Sequence, residues 1–453
     1  MKIREELALK YNYPVPRYTS YPPANRFGGG FAGADYLRVV EESNSWSPSN
    51  VSFYIHIPYC KKLCFYCGCN SCRAKDLESI DNYFKAMRLE IEAVTGRIAP
   101  DRKISQIHFG GGTPNSVPVS FLKSIIDLLA LNRPFIDRPE IAIECHPAYL
   151  DDDYVSELKS AGFNRFSLGI QDLSKGVLKL VNRDPSLLPV DELISRIRSD
   201  SSIAVNLDFI YGLPGQTPDS FSRTIEEAAA MRPDRLVTFS YAHVPWVNRN
   251  QMKLEKHGLP DMMSKLRMFE NTHLIMSRAG YRPVGLDHFV QEGDELGLAA
   301  VTGGLHRNFQ GYCTRRTTGQ VYAFGSSGIS QLGKAYFQTA RDPDEYSAAL
   351  LSGRIPVEKG YILSEGELFV REAIDLLMCN RQLNLKEYMQ GVLKLFGFTP
   401  DMGRLAEFEA EGIIEINWDT LQVTEDGTIF IRNIAATLDP LFKEYVMSFS
   451  KPV

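Results

Sequence analysis

The chain has 453 residues, 44% of them apolar and 23% charged, with a formal net charge of -5. These are the proportions of an ordinary globular protein, and without a basic excess a broad nucleic-acid-binding field is excluded. The amino terminus carries no apolar signal core, no apolar run is long enough to span a bilayer, and eight cysteines with five of them bunched do not form a disulfide framework. A reducing, cytoplasmic setting is expected.

The predicted elements follow in chain order. Runs rich in β-branched and aromatic residues at 51–57, 104–109, 140–145, 165–170, 204–210 and 235–241 alternate with amphipathic helical stretches. Strands alternating with helices predict a parallel sheet. Six such units, each strand ending in polar or glycine-rich residues, predict a partial (β/α)6 barrel rather than an open nucleotide-binding sheet. Sites in such barrels lie at the carboxyl ends of the strands. After about residue 365 the pattern turns helical, at 365–378, 385–395 and 402–411, followed by a hairpin-like segment at 413–423 and a last helix. The length exceeds one ordinary core, so a second, smaller carboxyl-terminal domain is expected. It reads as a winged-helix-like cap; lacking a basic face, it suits a lid over the barrel better than a DNA reader.

The chemistry concentrates at the end of the first strand. Cys60, Cys64, Cys67, Cys69 and Cys72 fall within thirteen residues, directly after the apolar run 51–57. Such density points to a thiolate-bound metal centre. The spacing of Cys60, Cys64 and Cys67 suits three irons of a 4Fe-4S cube and leaves the fourth iron open to a chelating ligand. S-adenosylmethionine, with its amino and carboxylate groups, is the ligand associated with radical chemistry at such centres. A structural zinc knuckle is the bland alternative, but it needs four ligands and usually two paired knuckles, and no second knuckle is present.

The second strand runs into Gly110-Gly111-Gly112-Thr113-Pro114. Glycines there let a backbone approach a ligand closely, and the run lacks the Lys and Ser/Thr of a phosphate loop. Further strand ends carry Glu144, Gln171 with Asp172, Asp208 and His243. A carboxylate inside an apolar strand is costly unless paired or bound. Any one of these would pass as a satisfied structural hydrogen bond; four on successive strands point to a site.

These motifs together carry a resemblance. Residues 54–60 through Cys69, Gly110 to Pro114, 164–172, 211–217, 305–312 and the amino-terminal stretch 12–22 resemble the oxygen-independent coproporphyrinogen III oxidase family, radical S-adenosylmethionine enzymes of anaerobic haem synthesis, over nearly the whole chain. The resemblance implies a radical SAM barrel at 46–360, an amino-terminal extension over the substrate at 1–45 and a mostly helical domain at 361–453. It implies conversion of the ring A and ring B propionates of coproporphyrinogen III to vinyl groups, giving protoporphyrinogen IX and two CO2. The agent is a 5′-deoxyadenosyl radical formed by reductive cleavage of S-adenosylmethionine.

The roles implied by the resemblance fall on particular residues. Cys60, Cys64 and Cys67 correspond to cluster ligands, and Cys69 to a family cysteine that does not bind iron; Cys72 has no corresponding role. Tyr54, Tyr66, Gly111 and Glu144 correspond to positions around the cluster-bound S-adenosylmethionine, with Ile329 near the same region. Gly112, Thr113, Gln171, Arg183, Asp208 and Ala242 correspond to positions that hold a second molecule of it. Cys145-His146 after Glu144 departs from the family pattern, and the Cys145 thiol is expected to be merely packed.

Four propionates call for fixed cations, and guanidinium binds carboxylates bidentately. Arg17 and Arg307 are the candidates, with Gln310 in the same motif. The implied partners are coproporphyrinogen III, a reducing donor such as flavodoxin and an external electron acceptor, acting on a monomer. Two relatives of similar architecture are rival readings. A haem chaperone would lack Cys69 and the amino-terminal stretch, both present here. A haem-opening radical methyltransferase is disfavoured by residues 16–22 and 306–312.

Overall fold

A computed structural model describes residues 3–74, 76–199, 202–445 and 449–451. Six parallel strands form the barrel wall: β1 (Val51–Ile57), β2 (Ile104–Gly111), β3 (Phe135–Cys145), β4 (Arg165–Gln171), β5 (Ala204–Tyr211) and β6 (Arg235–Ser240). Each pairs in parallel with the next, in sequence order. This matches the predicted partial barrel, with β3 beginning five residues earlier than its apolar stretch.

The sheet is larger than six strands. A seventh parallel strand, Gln320–Phe324, lies against β1. Short antiparallel strands continue both edges, Ile329–Gln331, Ala335–Thr339 and Val357–Ile362 on one side and His288–Val290 and Arg282–Val284 on the other, making twelve in one linear order. Glycines and polar residues interrupt these runs, so they lack the length and period that announce a strand.

Helices cover the outer face. Leu77–Thr95 shows why they form where they do: Asp76 caps it by accepting from the Ser79 amide at 2.8 Å, and Ile80, Tyr83, Phe84, Met87, Ile91 and Val94 repeat at helical spacing on its buried side. Asp151, Thr217 and Asp261 cap later helices in the same way. Along β4 and β5 burial alternates residue by residue. The fully buried set (Phe166, Leu168, Ile170, Val205, Leu207, Phe209) belongs to the main hydrophobic core, while the partners in between line an internal cavity.

The carboxyl-terminal region is helical, as expected. Helices Glu365–Asn380, Leu385–Phe396, Met402–Ala410 and Ile431–Leu438 accompany the hairpin Ile414–Asn417 and Thr420–Val423. A third strand, Gln382–Asn384, joins that hairpin and escaped the sequence pattern because it is three residues long.

The chain's two ends meet over the barrel. Asp439, 3% exposed, accepts from the hydroxyls of Tyr18 (3.0 Å), Tyr21 (2.9 Å) and Tyr445 (2.8 Å) and from the Leu441 amide (2.9 Å). Arg432, also buried, holds the carbonyls of Val15, Pro16 (2.9 Å), Ser450 (3.0 Å) and Lys451 (3.4 Å). Burial, with the charges of Arg17 and Arg307 nearby, lowers its guanidinium to about 9.

Candidate active site and iron-sulfur centre

The cysteine loop leaves β1 through Pro58 and is pinned on several sides by backbone bonds. The Phe65 amide donates to the Val181 carbonyl at 3.0 Å, and Asn182 Nδ2 donates to Leu63 at 2.8 Å. From the other side Gln251 Nε2 donates to the Tyr66 carbonyl at 2.9 Å and Asn248 Nδ2 to that of Cys67 at 2.7 Å. Cys60, Cys64 and Cys67 consequently face one cavity of about 160 Å³, and all eight cysteines are free thiols. Among the described residues no three His, Cys, Asp or Glu side chains close on a single point, as a one-ion site requires.

The glycine run makes room for this cavity. Gly111 has φ +115°, and a Cβ there would lie 2.8 Å from the His56 ring; one on Gly112 would lie 2.6 Å from the Pro58 carbonyl. Thr113 bonds the Cys60 sulfur at 3.3 Å, and Arg183 Nη1 reaches the Cys64 sulfur at 3.5 Å. Hydrogen bonding from Cys69 lowers the Cys67 thiol to about 6 against the effect of burial, while burial raises Cys60 to about 11.

The cysteine cavity opens into a larger one of about 740 Å³ that fills the barrel. Tyr66, Cys67, Cys69, Glu144, Ser167, Gln171 and Asp208 line both. Alternate residues of β2 to β6 point inward, including His108, Glu144, Ser167, Asn206, Asp208 and Phe239. His108 Nε2 bonds Glu144 at 3.0 Å, and Ser167 and Asn206 donate to the two Asp208 oxygens at 2.7 and 2.8 Å. Burial raises the Asp208 carboxyl to about 6. Gln171 stands at φ +70°, a conformation that a non-glycine residue rarely adopts, and its Oε1 is buried without a partner, as is Arg183 Nε.

The barrel floor is an ion-pair network. Arg165 pairs with Glu140 at 2.6 Å and Arg235 with Asp294 at 2.8 Å. Burial alone would raise Glu140, but Arg165 and Arg235 outweigh it and bring its carboxyl to about 2. The roof is Val15 to Ser20 together with Phe449 and Ser450.

Most of the residues singled out from sequence gather here. Arg17, Gln310 and Ala242 line the larger cavity, and Gly111, Gly112, Thr113 and Arg183 the smaller. Tyr54 lies one layer behind, stacked on His108 with ring centres 5.9 Å apart. Others lie elsewhere: Asp172 is buried and accepts from Gln216 Nε2 at 2.7 Å, and His243 bonds Tyr241 and Glu255, each at 2.9 Å, neither of the two lining these cavities. Ile329 lines neither cavity and packs with Phe27, Tyr336 and Leu363. Arg307 lines a third cavity of about 460 Å³ on the far side of Tyr18 to Ser20; its guanidinium stacks on Tyr312 at 4.6 Å, and its Nε and Nη1 are buried without partners. Cys145 is buried, yet it borders the cysteine cavity. His108, Ser167, Asn206 and the floor network went unread, although the period-two alternation of β2 to β6 carries them.

The radical SAM superfamily model matches residues 54–228. An oxygen-independent coproporphyrinogen III oxidase of Synechocystis is 37% identical across 96% of this chain and 94% of its own length. That of Salmonella typhimurium is 36% identical over 97% and 96%. The solved coproporphyrinogen III oxidase of Escherichia coli, a radical SAM enzyme, superposes with a TM-score of 0.87 at 33% identity, covering 97% of this chain and 99% of that one. The chain belongs to the oxygen-independent coproporphyrinogen III oxidase family. It is therefore a radical SAM enzyme, with a 4Fe-4S cluster and S-adenosylmethionine as cofactors. The residues present fit both. Three free thiols on one cavity suit a cluster, and the glycine cradle with the unpartnered Gln171 and Arg183 atoms suits a polar ligand beside it.

Proposed function

We propose that this chain converts the ring A and ring B propionates of coproporphyrinogen III to vinyl groups without oxygen, yielding protoporphyrinogen IX and two CO2. The observation that carries this reading is the continuity of the three-cysteine cavity with a barrel cavity of about 740 Å³ in a member of this family aligned over 96% of this chain. Each propionate gives up one β-hydrogen atom, one CO2 and one electron as its C–C bond becomes a double bond. Cys60, Cys64 and Cys67 would hold the cluster, whose chemistry when bound would be one-electron reduction of S-adenosylmethionine to methionine and a hydrogen-abstracting 5′-deoxyadenosyl radical.

The remaining work belongs to the chain's own side chains. Gly111, Tyr66 and the Glu144 carboxylate, oriented by His108, hold the cofactor next to the cysteine loop, with Tyr54 behind them. Gly112, Thr113, Gln171, Arg183, Asp208 and Ala242 border the adjoining space, where a second S-adenosylmethionine would sit. Arg17 and Gln310 meet carboxylates of the substrate from the barrel cavity, and Arg307 meets one that reaches past Tyr18 to Ser20 into the neighbouring cavity, close enough to Arg17 for the two charges to influence each other. The roof of residues 15–20 and 449–450 excludes water, which matters because misplacement of a radical opens side reactions.

In this reading residues 1–45 cover the substrate, 46–360 form the catalytic barrel and 361–453 cap it. The enzyme works as a cytoplasmic monomer with a low-potential donor such as flavodoxin and an external acceptor. No described helix is long and apolar enough to cross a membrane.

The test is anaerobic turnover of reconstituted protein with reductant, S-adenosylmethionine, coproporphyrinogen III and an acceptor, followed by chromatography of tetrapyrroles and 5′-deoxyadenosine. Protoporphyrinogen is the expected product. Cleavage of S-adenosylmethionine with coproporphyrinogen untouched would move the substrate to another tetrapyrrole such as haem.

A further inference from the structure

Segment 244–256 does more than pin the cysteine loop. Two of its residues, Asn248 and Gln251, bond the carbonyls of Cys67 and Tyr66. Their neighbours are exposed: Trp246 is 61%, Met252 55% and Val247 64% exposed, the last of these at the rim of the barrel cavity. Large apolar side chains so close together on a surface mark an interaction site rather than a requirement of the fold.

Cations surround them. Arg249, Lys253 and Lys256 are exposed on the same segment, and Lys253 sits over the Phe65 ring of the cysteine loop at 4.6 Å. On the other flank Val177 and Val181 pack with Phe65 and Leu254, which places the exposed Lys179 beside the loop, and Lys61 is exposed on the loop itself. Among the described residues none of these five is ion-paired. Of the acidic neighbours, Asp184 is paired with Lys62 at 2.7 Å, and Glu255, hydrogen-bonded to His243 at 2.9 Å, sets one negative charge against these five positive ones. In a chain of net charge -5 this is a local surplus of positive charge with an apolar centre, lying directly against the ligands of the redox centre.

We propose that this surface docks a small acidic one-electron carrier protein that reduces the cluster. The inference rests on the function proposed above and adds the entry point for the electron. One electron leaves the carrier and enters the cluster, and no proton or bond need move. Opposite charges on the two proteins would speed their encounter and fix its orientation, an effect that salt screens.

The test uses full-length, cluster-loaded protein and the charge-reversal variant R249E/K253E/K256E, with W246A as a second variant. The probe is an acidic flavodoxin. Wild type should bind it in fluorescence anisotropy, with affinity falling as salt rises from 50 to about 300 mM. The triple variant should bind at least tenfold more weakly and W246A measurably more weakly. Dithionite, which needs no docking surface, should drive S-adenosylmethionine cleavage equally in all three, at equal iron content. Equal flavodoxin affinity in wild type and the triple variant would overturn the proposal, as would parallel loss of the dithionite-driven rate. Absence of dithionite-driven cleavage in the wild type would instead overturn the radical reading itself.

Discussion

At the scale of the residue, the site depends on groups with no internal partner. Arg307 is held by its stack on Tyr312, with two guanidinium nitrogens unsatisfied, a costly arrangement that a bound carboxylate would relieve. Arg307→Ala is expected to weaken coproporphyrinogen binding about ten- to a hundredfold, the range of a charged hydrogen bond, while iron content stays unchanged. Titration of substrate binding decides it, and equal affinity removes Arg307 from the site. Gly111 is constrained differently. At φ +115°, with the His56 ring 2.8 Å from where a Cβ would stand, Gly111→Ala should cost about 1–2 kcal/mol in backbone strain and displace His56 as well. A thermal melt identical to wild type, with full cluster occupancy, would contradict this.

At the scale of the element, helix Leu77–Thr95 is joined to helix Pro343–Leu351 through a buried carboxyl. Glu90, fully buried, accepts from Tyr346 Oη at 2.6 Å and from the Gly325 amide at 3.0 Å through one oxygen. Burial raises it from 4.5 to about 7. An acid whose folded pKa is raised binds more protons folded than unfolded, so its penalty is absent below the unfolded value and grows until pH passes the folded one. Wild-type stability should therefore fall between pH 5 and pH 8, with a slope approaching roughly 1.4 kcal/mol per pH unit from this group. Glu90→Gln keeps an acceptor for both donors and should flatten that dependence; parallel denaturation profiles for the two proteins would rule the group out. The strands repeat the theme of partners deciding meaning. A strand buried on both faces of a parallel sheet normally reads as continuously apolar. β4 and β5 alternate because their inner face borders a cavity, and that alternation makes Ser167 and Asn206 legible from sequence once it is read as an inner wall.

At the scale of the whole molecule, the roof over the barrel cavity is made from both ends of the chain and tied by Asp439. Removing that carboxylate strands the hydroxyls of Tyr18, Tyr21 and Tyr445, each at a cost of about 1–3 kcal/mol when buried and unpaired. Asp439→Ala should speed limited proteolysis within residues 12–25 and raise the KM for coproporphyrinogen, with iron content unaltered. Unchanged cleavage rates would show that the roof is held elsewhere.

The sequence by itself determined the cysteine loop, the glycine cradle, the six alternating strand and helix units and the helical end of the chain, because each is a local pattern of spacing or period. Only the tertiary structure decided what depends on distant residues meeting. The strand Gln320–Phe324 pairs with β1, more than 260 residues away in the chain, as well as with its sequence neighbour Ile329–Gln331, and Arg307 opens on a different cavity from Arg17. The floor joins Glu140 and Arg165 to Arg235 and Asp294 by way of Glu295, which both guanidinium groups reach. Short strands and single polar residues carry no period of their own, and their place is set by the packing of the whole.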